Sequence, residues 1–177
     1  MKRRCTTLLL AVTLAACGKA ATPSADAGGK KADSAFAAVQ SRGQDVMGVD
    51  QATSSHVFED LADGGRIVLE RDDASDTAAI GMIRRHMREI AVDFRNGDFS
   101  KPFAVHAMEV PGTKVLASLK GAVSYDATDL PRGAEVRIHT TNAQAIAAVH
   151  EFLAFQRSEH RAAGHEHPRG DVPGPAR

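Results

Sequence analysis

Histidine is the reactive side chain that this sequence supplies in quantity: His56, His86, His106, His139, His150, His160, His165 and His167. A neutral imidazole ligates transition metals and exchanges protons near neutral pH, and thioether sulfur suits Cu(I). His106 and Met108 stand two residues apart in the stretch 98–112, which carries its own apolar alternation and reads as extended. Residues two apart on a strand share a face, so both side chains point the same way. His56 lies on a second extended segment and can join them. The candidate metal site is therefore His56, His106 and Met108, and a His/Met set without cysteine suits copper in an oxidising compartment. The alternative is that His56 and His106 are hydrogen-bonded structural residues and Met108 is core.

Other constellations carry less chemistry. His150 borders an apolar helical stripe, but Glu151 points to a different face, so the two are no ready acid–base pair. His86 stands beside Arg84, Arg85 and Arg88, which read as a solvated basic face. His165-Glu166-His167 makes a histidine-rich tail able to hold a metal loosely. There is no Gly-x-Ser-x-Gly elbow, no His-Glu-x-x-His and no P-loop. Ser118 and Ser124 read as strand residues without an evident partner, and Asp98 and Asp129 as loop carboxylates. An enzyme would need at least two of His56, His106 and His150 converging with a carboxylate in a pocket.

The elements that must position these residues follow from periodicity. Residues 55–61 alternate, Asp63-Gly64-Gly65 signals a turn, and Arg66 to Glu70 reads as a second strand. Asp73 or Ser75 can cap a helix bearing Ile80, Ile83, Met87, Ile90 and Phe94 on one face. The plan then repeats. Leu116 to Tyr125 reads as a strand, Leu130-Pro131-Arg132-Gly133 as a turn and Glu135 to His139 as a strand. Thr141 has the form of a capping-box hydroxyl, with Gln144 three residues on, ahead of the stripe Ile146, Val149, Leu153. One ββα unit cannot cover its own apolar face, whereas two can share a core. The expected fold is α+β: an antiparallel sheet of about four strands with two helices on one face, built from two ββα repeats.

The start of the chain bears on location. Lys2, Arg3 and Arg4 precede an apolar run from Leu8 to Leu14, followed by Ala15-Ala16-Cys17. The run is too short to cross roughly 30 Å of hydrocarbon. Its form is that of a secretory signal. The segment resembles the lipobox signal peptide of bacterial lipoproteins, which implies cleavage before Cys17 and lipidation of that residue. Gly18 follows where an Asp would act as an inner-membrane retention signal, so the segment resembles the outer-membrane pattern. The expected organisation is signal peptide 1–17, flexible tether 18–52, ββα-ββα domain 53–162 and disordered His/Pro/Gly tail 163–177.

Cys5 would leave with the signal and Cys17 would carry lipid, so the mature domain has no thiol for a disulfide or a metal. Without Lys2, Arg3 and Arg4, three of the 22 basic residues, 19 remain against 22 acidic ones, a charge of −3. That balance argues against nucleic-acid binding, which needs a basic face. Tyr125 is the single tyrosine and Trp is absent, which leaves little material for base stacking or an aromatic hot spot.

Several pieces are similar to a group of uncharacterised bacterial exported proteins: Asp63-Gly64-Gly65-Arg66-Ile67, Gly97-Asp98-Phe99, Val105-His106, Val110-Pro111-Gly112 and residues 149–156. The resemblance spans about 53–162, implies one intact domain and supplies no activity. The sequence thus points to a lipid-anchored periplasmic binding or interaction module rather than an enzyme. The membrane would be reached through Cys17, and an envelope protein is a further partner. The rivals are a structural envelope lipoprotein without ligand and an enzyme with an unrecognised His/carboxylate site.

Overall fold

Alternation of apolar and polar residues builds one four-stranded antiparallel sheet. Its strands are β1 (Ser54–Leu61), β2 (Gly64–Arg71), β3 (Ser124–Leu130) and β4 (Gly133–His139), in the order β1-β2-β4-β3. The computed structural model describes residues 25–162 and Gly164. The expected signal peptide with Cys17, and the expected tail with His165 and His167, lie outside the described residues.

Register places the apolar residues on one face. His56 pairs with Leu69, Phe58 with Ile67, Ile67 with Val136, and Tyr125 with Ile138. Phe58, Ile67, Leu69, Tyr125, Ala134, Val136 and Ile138 are all buried on this face. Charged residues fill the opposite one, where Arg66 pairs with Glu59 and Arg137 with Asp63.

Two long helices cover the apolar face. Helix α2 (Thr77–Arg95) follows β2 and α5 (Ala143–His160) follows β4. Ile80, Ile83, Met87, Ile90 and Phe94 are buried at the expected helical spacing. Each buried large side chain contributes about 1.5–3 kcal/mol. The helices cross over: α2 packs mainly on β3 and β4, and α5 on β1 and β2. Each hairpin is therefore covered by the helix that follows the other hairpin, which makes the two ββα runs interdependent.

Local signals differ from the expected ones in three places. The cap of α2 is Asp76, whose side chain accepts from the Ala79 N–H at 3.0 Å, while Asp73 holds Ser75 instead. The cap of α5 is Asn142, which accepts from Gln144 and Ala145, rather than Thr141. Residues 116–123 are not strand. They form α4 (Thr113–Ser118) and a 3₁₀ turn (Lys120–Ala122), and β3 starts only at Ser124. Val115, Leu116 and Leu119 fit a helical turn as well as a strand, and six residues are too few to separate the two periods. Gly112 starts α4 with φ +80°, where a Cβ would overlap the Ala148 carbonyl, so glycine seats α4 against α5.

The expected tether is also corrected over much of its length. Residues Ala25–Met47 form a helix, α1, and Asp50 caps a 3₁₀ turn at Gln51–Thr53. Alanine-rich sequence has high intrinsic helix propensity. Val39 and Gly43 are the buried positions of a narrow stripe. Arg42 donates to the Val105 carbonyl at 2.5 Å, and Arg161 pairs with Asp33 while lying 4.3 Å over the Phe36 ring.

Candidate functional site: a histidine-lined cavity

Four of the six described histidines line one cavity of about 80 Å³. His56 comes from the inner face of β1 and His86 from α2. His106 is the last residue of α3 (Ser100–His106), and His160 is the last residue of α5. Met47 of α1, Gln51 of the following turn, Met87 of α2, Lys101 of α3 and Gln156 of α5 complete the polarisable and polar lining. Phenylalanines 58, 94 and 152 supply much of the rest.

The rings are in contact. His56 and His160 stack with centroids 5.3 Å apart, and His106 meets His160 edge to face at 5.1 Å. Phe58 lies 5.7 Å from His160, and Phe155 meets His106 at 4.9 Å. His106 is 7% exposed, and its Nε2 lies 3.0 Å from Oε1 of Gln156, which is 4% exposed. With the amide assigned this way round, Nε2–H donates and Nδ1 carries a bare lone pair.

Several buried polar atoms of the lining residues lack a hydrogen-bond partner among the described residues: Nδ1 of His86, His106 and His160, and Oε1 of Gln51. Buried polar atoms are seldom left so, and these four belong to residues that line one cavity. Gln51 is held there by Gly43, since a Cβ at that position would collide with the Gln51 amide.

Burial keeps these imidazoles neutral. It lowers His56 to about 4. His86 falls to about 4 through burial, helped by the charge of Lys101 and by His56 and opposed by Asp93. His160 falls to about 3 through burial and the neighbouring His56 and His106. His106 is lowered by burial and by Arg42, partly opposed by its bond to Gln156 and by Glu159. Among the described residues the lining holds no Asp or Glu, and Lys101, paired with Asp93, is its one charged side chain.

His56 and His106 line the same cavity, but Met108 is 50% exposed and does not. The segment is not extended. α3 ends at His106, and Ala107 turns the chain with φ +54°, so the two-residue parity between His106 and Met108 is lost. His150 is structural: its Nε2 lies 2.9 Å from the Leu61 carbonyl and 3.0 Å from that of Gly64, clamping the β1–β2 turn. His139 bonds to Asp63 at the surface. Arg84 donates to the Leu130 and Gly133 carbonyls and Arg88 pairs with Asp129, so this basic cluster braces the β3–β4 turn.

His160, His86, Met47 and the two glutamines are the lining residues that the spacing argument did not join to the site. One signal was present. His160 continues the spacing Val149, Leu153, Gln156, which directs Gln156 and His160 to the buried side of α5. Among the described residues no three His, Cys, Asp or Glu side chains are grouped to hold one metal ion, and no helix is long and apolar enough to cross a membrane. Compared with known protein families, curated proteins and solved structures, the chain matches none.

Proposed function

We propose that this protein is a lipid-anchored binding module of the bacterial envelope, held at the outer membrane through Cys17 and facing the periplasm. Its ligand site is the histidine cavity, and its ligand is a transition metal, copper. The observation that carries this is the unpartnered Nδ1 of three imidazoles around one cavity. Imidazoles kept neutral by burial are in the state that ligates a metal, since no proton competes for the lone pair. A lining without carboxylates gives the histidines no acid–base partner, which favours binding over catalysis. His106 is retained from the sequence as a ligand, and His160, whose ring meets it at 5.1 Å, takes the place of Met108.

The test is a titration of the purified protein with Cu(I), Cu(II) and Zn(II), counting bound metal per chain. Changing His165 and His167 to Ala removes binding by the tail. One tight equivalent, lost in His106→Ala with the fold retained, supports the site. No binding of any of these ions overturns the metal reading and turns the search toward envelope protein partners.

A further inference from the structure

We infer that the histidine cavity selects monovalent copper over Cu(II) and Zn(II), with the thioether of Met47 completing a ligand set founded on His106 and His160. This rests on the cavity being a metal site and goes on to name the oxidation state and the sulfur ligand.

Donor number is the first discriminator. Zinc in proteins is four-coordinate and draws on several His, Cys or carboxylate ligands. Here no three such side chains are grouped around one point among the described residues. Of the lining imidazoles with a buried, unpartnered Nδ1, His106 and His160 have rings in contact, 5.1 Å between centroids. Cu(I) is satisfied by two or three soft or borderline donors, so a pair of imidazoles plus one sulfur is a complete set for it.

Charge is the second. The lining has no anionic group, and its one charged side chain, Lys101, is a cation. A dication brought here keeps its full charge in a largely apolar enclosure, and such charges are costly unless paired. A monovalent ion carries half that charge.

Softness is the third. Two methionines, Met47 and Met87, line the same cavity as the imidazoles, and thioether sulfur favours Cu(I) over harder ions. Met87 is 1% exposed and packed in the central core. Met47 is the last residue of α1, only partly buried, and is followed by Gly48 at φ +72°. Its unbranched side chain can swing its sulfur inward at little cost.

The experiment uses the full-length protein with His165→Ala and His167→Ala. Cu(I) is titrated anaerobically against a chromogenic cuprous chelator, and Cu(II) and Zn(II) are titrated separately. One Cu(I) per chain is expected, held at least about a hundredfold more tightly than the two dications. Met47→Leu lowers Cu(I) affinity about tenfold or more with the melting temperature unchanged, and Met87→Leu leaves it as it was. X-ray absorption of the copper-loaded protein then shows one sulfur scatterer, lost in Met47→Leu. Zn(II) or Cu(II) binding as tightly as Cu(I), or an unchanged Cu(I) affinity in Met47→Leu, overturns this inference while leaving a metal site standing. No binding of any of the ions overturns both.

Discussion

His106 and His160 each end a helix, and the two helices bring their last side chains together edge to face, 5.1 Å between ring centroids. Fifty-four positions of sequence separate them, including α4, β3, β4 and all of α5. The sheet order sets this meeting: β1 beneath α5 supplies His56 and Phe58 against His160, while α1 packs on α3 from outside. Two helix ends and one strand face thus make an imidazole cluster, with His106 buried and His56 and His160 half-buried, and no carboxylate among the described residues of its walls.

Acid should loosen this cluster before it touches the surface carboxylates. His56 and His86 titrate near 4 and His160 near 3 when folded, against 6.5 unfolded. Between those values the unfolded chain binds more protons, so stability is full above about pH 6.5 and falls as pH drops toward 4. Asp63, Asp73 and Asp98 are lowered from 3.8 by their hydrogen bonds, so their share is lost only below that value. Urea midpoints at about pH 7.5 and pH 5 should differ in the native protein and differ less in His160→Gln. Equal drops in the two proteins would show that His160 is not buried neutral.

A second prediction concerns the ion pair under the β1 edge. Arg157 donates to Asp60 at 2.8 Å, and their side chains are 11% and 5% exposed. Arg157 also donates to the Phe58 carbonyl at 2.9 Å. Arg157→Met leaves a buried carboxylate uncompensated and should cost about 3–5 kcal/mol. The double variant Asp60→Leu, Arg157→Met should recover most of that loss, because the lone charge is gone. Chemical denaturation of the native protein and the two variants checks this, and a double variant no better than the single one refutes it.

Tyr125 yields a prediction of opposite sign. It is fully buried, yet its hydroxyl has no partner among the described residues, and burial pushes its pKa well above the ordinary 10. Its ring packs edge-on to Phe94 at 5.7 Å, a contact that phenylalanine reproduces. Tyr125→Phe should therefore stabilise the protein by about 1 kcal/mol, since an unsatisfied hydroxyl is no longer held from water. A loss of stability would mean that the hydroxyl has a partner.

Much of the sheet was legible because its signals are long. Residues 55–61 and 64–71 alternate around a Gly turn, and α2 presents five apolar residues at 3.6-residue spacing, enough to separate the two periods. Short elements were not: Val115, Leu116 and Leu119 satisfy both periods. The site was legible in part. His56 and His106 could be singled out as types, but their meeting with His160 depends on where two helices end in space. Met108 stays outside the cavity because residues 100–106 are helical and left-handed Ala107 turns the chain after them, so strand parity does not apply.

The segment expected as a tether gives the last prediction. α1 has few apolar residues, which is why its composition reads as unable to fold. It is fastened by Val39, which is 2% exposed, and by the Arg42 bond to Val105, while the main core cluster forms without Val39. An element held by so little buried surface opens more readily than the core beneath it. Amides of residues 29–47 should exchange with deuterium well before those of β2 and β4. Val39→Asp should raise α1 exchange to that of an unfolded segment and leave the sheet protected. Because Val46, Met47 and Gln51 wall the histidine cavity, the same variant should make His106 and His160 more reactive toward an imidazole acylating reagent. Equal protection of α1 and the sheet in the native protein would instead make α1 an integral layer of the domain.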